Sequence, residues 1–290
     1  MEGSRSSNIL KIVAIVLLIL LLLSFFGANE FREYYHKPLP TQRIEIRNFA
    51  VYYGSSFNQT VINYLNKFDL VILQPDSPSQ TNISEIHSIK IAYIDLGEYD
   101  GAVLGNCTIN VSNITIGNDK NWNQPIVNVS SELWDRHILC MVGLALKLGF
   151  NGVIFDDLDV VEQYPWEYNS FVRIIANVSN EYPNAIIGVN RGFELIQNIS
   201  KYIDFVLYED FGSYYNFTDN SYELLNNYQL ENLTYRLNMV RSFGLCILGL
   251  GYSPMPSGYI YNYDLEMGEK LNMPVYVSNL DLSSIWDEAA

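Results

Sequence analysis

Two apolar runs in this chain end abruptly in acids. Phe150–Asp159 reads Phe-Asn-Gly-Val-Ile-Phe-Asp-Asp-Leu-Asp, so that small and apolar residues lead straight into Asp156. Ile203–Asp210 reads Ile-Asp-Phe-Val-Leu-Tyr-Glu-Asp and delivers Glu209 in the same way. In an extended strand successive side chains alternate, so Asp156 shares a face with Ile154, and Glu209 with Leu207 and Phe205. An acid that closes an otherwise buried strand is placed at the rim of a core, where carboxylates can act. Two of them on nearby strands across one cup form the pair that flanks a glycosidic bond in sugar hydrolysis. One Asp after a strand also serves as a helix N-cap, which accounts for Asp157 or Asp159 but not for three acids in four residues.

A third segment, Ile91–Tyr99, carries Asp95 and Glu98 around Gly97. It reads equally as a ligand contact and as a structural turn. Other polar strand ends are Tyr53, Asp76, Asn190 with Arg191, Tyr252 and Asp281. The candidate substrate contacts are therefore Tyr53, Asp76, Asp95, Glu98, Asp157 and Asn190. Tyr and Trp together are abundant, and such rings line sugar-binding cups as readily as they fill cores.

The elements that must position these residues follow from periodicity. Strand candidates are Asn48–Tyr53, Leu70–Gln74, Ile89–Leu96, Pro125–Val129, Gly152–Phe155, Ala185–Val189, Ile203–Tyr208, Leu245–Leu250 and Pro274–Val277. Most are unbroken apolar runs, the mark of parallel strands covered on both faces. Helical patterns lie between them at Thr60–Phe68, Glu132–Leu148, Trp166–Asn180, Glu194–Lys201, Leu233–Phe243 and Tyr263–Leu271, with Gly149 stopping the second. Alternation repeated about eight times, a suitable length and the absence of a Gly-x-Gly-x-x-Gly turn predict an α/β fold, a (β/α)8 TIM barrel. Pro125–Val129 is then an extra strand or an extended lead into the long helix, and residues 101–124 a long loop.

The barrel is expected over residues 43–290, behind an N-terminal transmembrane or signal-anchor helix in residues 1–28 and a linker, 29–42. From Ile12 to Phe26 only Ser24 is not apolar, and Arg5 and Lys11 precede the run. That pattern favours an uncleaved anchor over a signal cleaved near Gly27-Ala28, so the barrel is expected to be membrane-anchored or secreted and to lie outside the cytoplasm. Ten Asn-x-Ser/Thr sequons, at Asn58, Asn82, Asn106, Asn110, Asn113, Asn128, Asn177, Asn198, Asn216 and Asn232, fit a glycosylated outer surface. The net charge of −15 argues against nucleic acid as a partner. Three cysteines make no disulfide framework, and Cys140 and Cys246 read as small buried hydrophobes. No pair of cysteines or histidines has zinc-ligand spacing, and no cofactor motif occurs; oligomeric state is not readable.

The segments Ala92-Tyr-Ile-Asp-Leu-Gly-Glu98, Pro125–Asp159, Gly188-Val-Asn190 and Asp204-Phe-Val-Leu-Tyr-Glu209 together resemble glycoside hydrolase family 114. The resemblance covers nearly the whole barrel in the expected order. It implies a glycosidase like the endo-α-1,4-polygalactosaminidases, acting on an α-linked, amino-sugar polysaccharide with retention. Asp156 would be the nucleophile and Glu209 the general acid/base. Two positions depart from the family's pattern. Asp157 stands where relatives commonly carry Asn, which adds charge. Asn128 stands where they commonly carry Asp, and a glycan there would crowd the cup, so that sequon is expected to be empty. Two other classes compete: a non-catalytic glycan-binding envelope protein using the same cup, and a metal-dependent hydrolase built on Asp156, Asp157 and Asp159.

Overall fold

The computed structural model describes residues 45–286. The expected anchor and linker lie outside them, and no described helix is long and apolar enough to cross a membrane. Twelve strands occur in chain order: β1 (Phe49–Tyr52), β2 (Leu70–Leu73), β3 (Ile89–Asp95), β4 (Thr115–Asp119), β5 (Gln124–Val127), β6 (Gly152–Asp156), β7 (Ile186–Asn190), β8 (Phe205–Glu209), β9 (Ser213–Asn216), β10 (Ser221–Leu224), β11 (Cys246–Tyr252) and β12 (Val275–Ser278). Eight of them, in the order β1-β2-β3-β6-β7-β8-β11-β12, form one parallel sheet that curls into a nearly closed barrel. The Phe49 and Tyr276 rings, 6.0 Å apart, fill the seam between its first and last strands, and Tyr53 N–H reaches Leu282 O at 2.8 Å across it.

Every residue of β1, β2 and β12 is buried. Helices cover the outside of the sheet, which is why these strands read as solid apolar runs rather than alternating ones. The 17-residue helix Glu132–Leu148 buries Trp134, Ile138, Met141, Val142 and Ala145, capped by Ser131 at its start and by left-handed Gly149 at its end.

Four corrections concern local elements. Pro125–Val129 is the expected extra strand outside the barrel, but β5 pairs antiparallel with β4, so what reads as a long loop holds a hairpin. A second hairpin, β9–β10, follows Glu209. Neither hairpin is a solid apolar run, because each buries at most one side of a small ribbon. The helices Asn227–Ser242 and Tyr259–Leu271 begin four to six residues earlier than their apolar spacing indicates. In the first, an Asn226–Gln229 capping box starts the helix before its first buried residue, Leu233. Finally, Cys107 and Cys140 form a disulfide, tying the loop after β3 to the long helix. The 33-residue separation gives no local sign of the pairing; only the packing of that loop on the helix brings the Cα atoms to 5.7 Å. Cys246 is free and half-buried.

Candidate active site

Three neighbouring strands end alike. β6 ends in Asp156, β7 in Asn190 and β8 in Glu209, and the next residue in each case is left-handed: Asp157 at φ 57°, Arg191 at φ 54° and Asp210 at φ 55°. Placing a side chain there costs about 1 kcal/mol, less for Asp and Asn than for most others. The repeated turn stops each strand at its polar residue and leaves that side chain at the barrel mouth. Gly97 allows the turn after β3 to join this arrangement, since a Cβ there would lie 2.1 Å from the Asp157 carbonyl oxygen.

Asn190 lies between the two acids. Its Nδ2 donates to Asp156 Oδ1 at 2.8 Å and to Glu209 Oε2 at 2.6 Å. Whatever the angle at that nitrogen, the two oxygens are less than about 5.4 Å apart, the total of those lengths. Asp156 Oδ1 also accepts the Asp157 N–H at 2.7 Å, and Glu209 Oε1 accepts the Tyr252 hydroxyl from the end of β11. Burial first, and then Asp157 and Glu209, push the Asp156 carboxyl well above its usual value. Burial and the nearby carboxylates likewise push the Tyr53, Tyr93 and Tyr252 phenols far up, so all three stay protonated hydrogen-bond donors.

Asp95 lies behind this layer rather than in the cleft. It is 5% exposed, and its Oδ1 accepts the Glu98 N–H at 2.8 Å, closing the turn. Its other oxygen has no donor unless Asp157 carries a proton. Burial raises both acids strongly, while the hydrogen bond between them lowers Asp95 and raises Asp157, the direction that puts a shared proton on Asp157. A protonated Asp157 offers a donor as an Asn would, so the departure at this position adds no charge.

The cleft has a volume of about 500 Å³, well within the range of small-molecule and sugar sites. Of the expected residues, Tyr53, Glu98, Asp156, Asp157, Asn190 and Glu209 line it. Asp76 does not: β2 stops at Leu73, Gln74 takes the position at the mouth, and the following turn carries Asp76 to the outside. Gln74 donates to Asp100 at 2.9 Å while its own oxygen is buried without a partner. Glu98, pushed up to about 7 by burial and then by Asp119 and Asp159, faces the cleft beside the β4–β5 hairpin.

Sequence reasoning missed one wall of the cleft. Trp122 from the first hairpin, half exposed, meets Phe217 from the second with centroids 5.2 Å apart, and Tyr215 stands 5.2 Å beyond. Their only sequence signal is aromatics within polar turns, which gives no position. Among the described residues nine acids line the cleft and Arg191 is its one cation, 3.8 Å from Asp159 and 3.6 Å from Asp210. With Asp159 turned to Arg191, no three His, Cys, Asp or Glu side chains among the described residues are grouped as metal ligands. Asn128 lies outside the cleft, its Oδ1 accepting from Ser130, so the expected crowding does not arise there.

Comparison with known proteins gives a consistent result. The sequence model of a family described as Glycoside-hydrolase family GH114 matches residues 39–288. The glycoside hydrolase domain of PelA from Pseudomonas aeruginosa superposes with a TM-score of 0.72 at 19% identity, covering 83% of this chain and 98% of that one. Aspergillus fumigatus Ega3, solved in complex with galactosamine, superposes with a TM-score of 0.64 at 13% identity, covering 85% and 95%. At such identities the likeness is one of fold. No curated protein matches the chain by sequence.

Proposed function

The chain belongs to glycoside hydrolase family GH114, and from that premise we propose that it cleaves an α-linked amino-sugar polysaccharide with retention, using Asp156 and Glu209. The enzyme is a glycosidase; the linkage, the mechanism and the residue roles are our reading. The bridge made by Asn190 carries it. Carboxyl groups about 5–5.5 Å apart suit a retaining double displacement, whereas inverting enzymes need about 6.5–9.5 Å to fit a water. One oxygen of Asp156 and one of Glu209, held on the same amide nitrogen and so under about 5.4 Å apart, support the shorter class.

In the first step Glu209 gives its proton to the glycosidic oxygen as Asp156 attacks the anomeric carbon, which releases one sugar chain and leaves a glycosyl ester on Asp156. In the second step Glu209 takes a proton from water, and the resulting hydroxide displaces Asp156 from the sugar. The N–H groups of Asn190 and Asp157 steady the Asp156 carboxylate as it attacks and leaves. Nine acids around the cleft suit a cationic, de-acetylated amino sugar, whose ammonium groups would offset their mutual repulsion. The half-exposed Trp122 supports stacking on a sugar face. Freshly released product read by NMR for anomeric configuration tests the mechanism; inverted product refutes retention. A panel of de-acetylated, acetylated and neutral α-glycans tests the substrate, and equal rates on all three refute the charge argument.

One observation favours exchanged roles. The raised Asp156 carboxyl holds its proton more readily than a nucleophile should, and would suit the acid. Trapping the intermediate with a slow fluorinated substrate and sequencing the labelled peptide decides between Asp156 and Glu209.

For location, the Cys107–Cys140 disulfide supports an oxidising compartment, in keeping with an anchor at Ile12–Phe26 and the barrel outside. None of the ten sequon asparagines lines the cleft. Asn216 donates its amide nitrogen to Asp219 and Glu223, whereas Asn113, Asn177 and Asn232 are exposed, so glycans belong on the latter three. A glycopeptide map carrying sugar at Asn216 alone would contradict that assignment.

A further inference from the structure

Behind the cleft, a second carboxyl is sealed in a slot of its own. Asp264, on the helix Tyr259–Leu271, is fully buried. Its two oxygens fit against glycines: a Cβ on Gly212 would lie 2.2 Å from Oδ1, and one on Gly251 would lie 2.1 Å from Oδ2. Oδ1 has no hydrogen-bond partner, and Oδ2 meets only the Ser213 hydroxyl.

The hydrogens around Ser213 can be counted. Its Oγ accepts the Tyr252 N–H at 2.8 Å and also lies 2.8 Å from the Tyr252 carbonyl oxygen. A serine hydroxyl has one hydrogen to give. If Asp264 is ionised, that hydrogen must serve both the carboxylate and the Tyr252 carbonyl, and one of two buried acceptors is left bare. If Asp264 is protonated, all the groups at Ser213 are satisfied and only the uncharged Oδ1 stays bare: Asp264 donates to Ser213, Ser213 donates to Tyr252 C=O, and Tyr252 N–H returns to Ser213. The hydroxyl thereby continues the hydrogen bonding of β11 at the residue whose phenol reaches Glu209.

We propose that Asp264 is a positioning residue that works as a neutral acid, locking Ser213 onto both backbone groups of Tyr252 and so holding the phenol on Glu209. The importance of that contact rests on the assignment of Glu209 above; the protonation of Asp264 does not. Burial pushes the Asp264 carboxyl up to about 7, against the smaller opposing effect of Ser213. The lock therefore closes in mildly acidic solution and loosens as pH rises through that value. Around Asp264, the β8 end brings Asp210, itself pushed to about 7 by burial, then Glu209, and paired with Arg191. β11 brings Tyr252, the helix itself Tyr263, and β10 carries Glu223, which is occupied by Tyr214, Asn216 and Ser221. Among the described residues, burial and Ser213 are what act on the Asp264 carboxyl, and no cation does.

The test compares Asp264→Asn, whose amide is a permanent donor to Ser213, with Asp264→Ala and Ser213→Ala in the otherwise intact chain. Infrared spectra of the wild type minus those of Asp264→Asn, recorded across pH 5–8, should leave the band of one protonated buried carboxyl, with the bands of Asp157 and the other raised acids common to both. Thermal midpoints of the wild type should fall over that range, because the folded state holds a proton there that the unfolded chain has released; Asp264→Asn should flatten the fall. At pH 6 Asp264→Asn should keep kcat/KM within about threefold, while the two alanine variants lose tenfold or more in kcat. An Asp264→Asn enzyme as inactive as Asp264→Ala, or one that has lost no carboxyl band relative to the wild type, overturns the proposal. If Glu209→Gln proves fully active, the site assignment fails, yet the infrared and thermal results still decide whether Asp264 is the neutral acid.

Discussion

The floor and the wall of the cleft are built on opposite principles. On the floor, Asp156, Asn190, Glu209 and Tyr252 close four parallel strands, and each is held by at least one hydrogen bond within the same layer. On the wall, Trp122, Tyr215 and Phe217 ride on two small hairpins and touch mainly one another. Bond-making needs groups fixed to a fraction of an ångström, which a barrel strand supplies. Gripping a polymer needs broad, forgiving surface, which a hairpin of aromatics supplies at little structural cost. The difference predicts that floor substitutions act on kcat and wall substitutions on KM.

The largest expected effect is on the floor. Asp156→Asn and Glu209→Gln should each lower kcat about 10³-fold or more with an unchanged thermal midpoint, in line with removal of a nucleophile or proton donor. Full activity in either would remove the basis of the comparison. Asn190→Ala should follow, with kcat down about 10²-fold, because two carboxylates lose a shared donor and repel each other unscreened. Asn190→Asp should be worse, since it puts a third acid between them; a variant as active as wild type would show that the bridge is incidental.

Smaller effects separate floor from wall. Trp122→Ala should raise KM about fivefold to tenfold with kcat nearly constant, the loss of about 1 kcal/mol of ring stacking. A fall in kcat alone would place Trp122 among the floor residues instead. The smallest effect concerns Glu98. With its carboxyl at about 7, it becomes anionic only as pH rises through neutrality. The KM for a cationic sugar should therefore drop about twofold to threefold from pH 6 to pH 8, and Glu98→Gln should abolish that trend, as read from KM against pH.

The same division explains what could be read from the residues. Asp156 and Glu209 were legible because a buried strand and its terminal acid form a local pattern only a few residues long. Asn190 was legible as a strand end, but not as the group joining both acids, because that contact spans three strands. Asp95 and Asp76 show the limit of the rule: both follow apolar runs, yet one is folded under its turn and the other turned outward. A shift of one or two residues in where a strand stops decides such cases. The hairpins, with little to bury, carry no period that a sequence scan could detect.

By itself, then, the sequence determined the alternation of strands and helices, the barrel that follows from it and the acids at its mouth, because burial on both faces leaves a continuous apolar record along the chain. Tertiary structure alone decided the Cys107–Cys140 pairing, the amide bridge, the burial of Asp95 against Asp157 and the aromatic wall. Each of these depends on distances between residues far apart in the chain, and a distance of that kind leaves no trace in local composition.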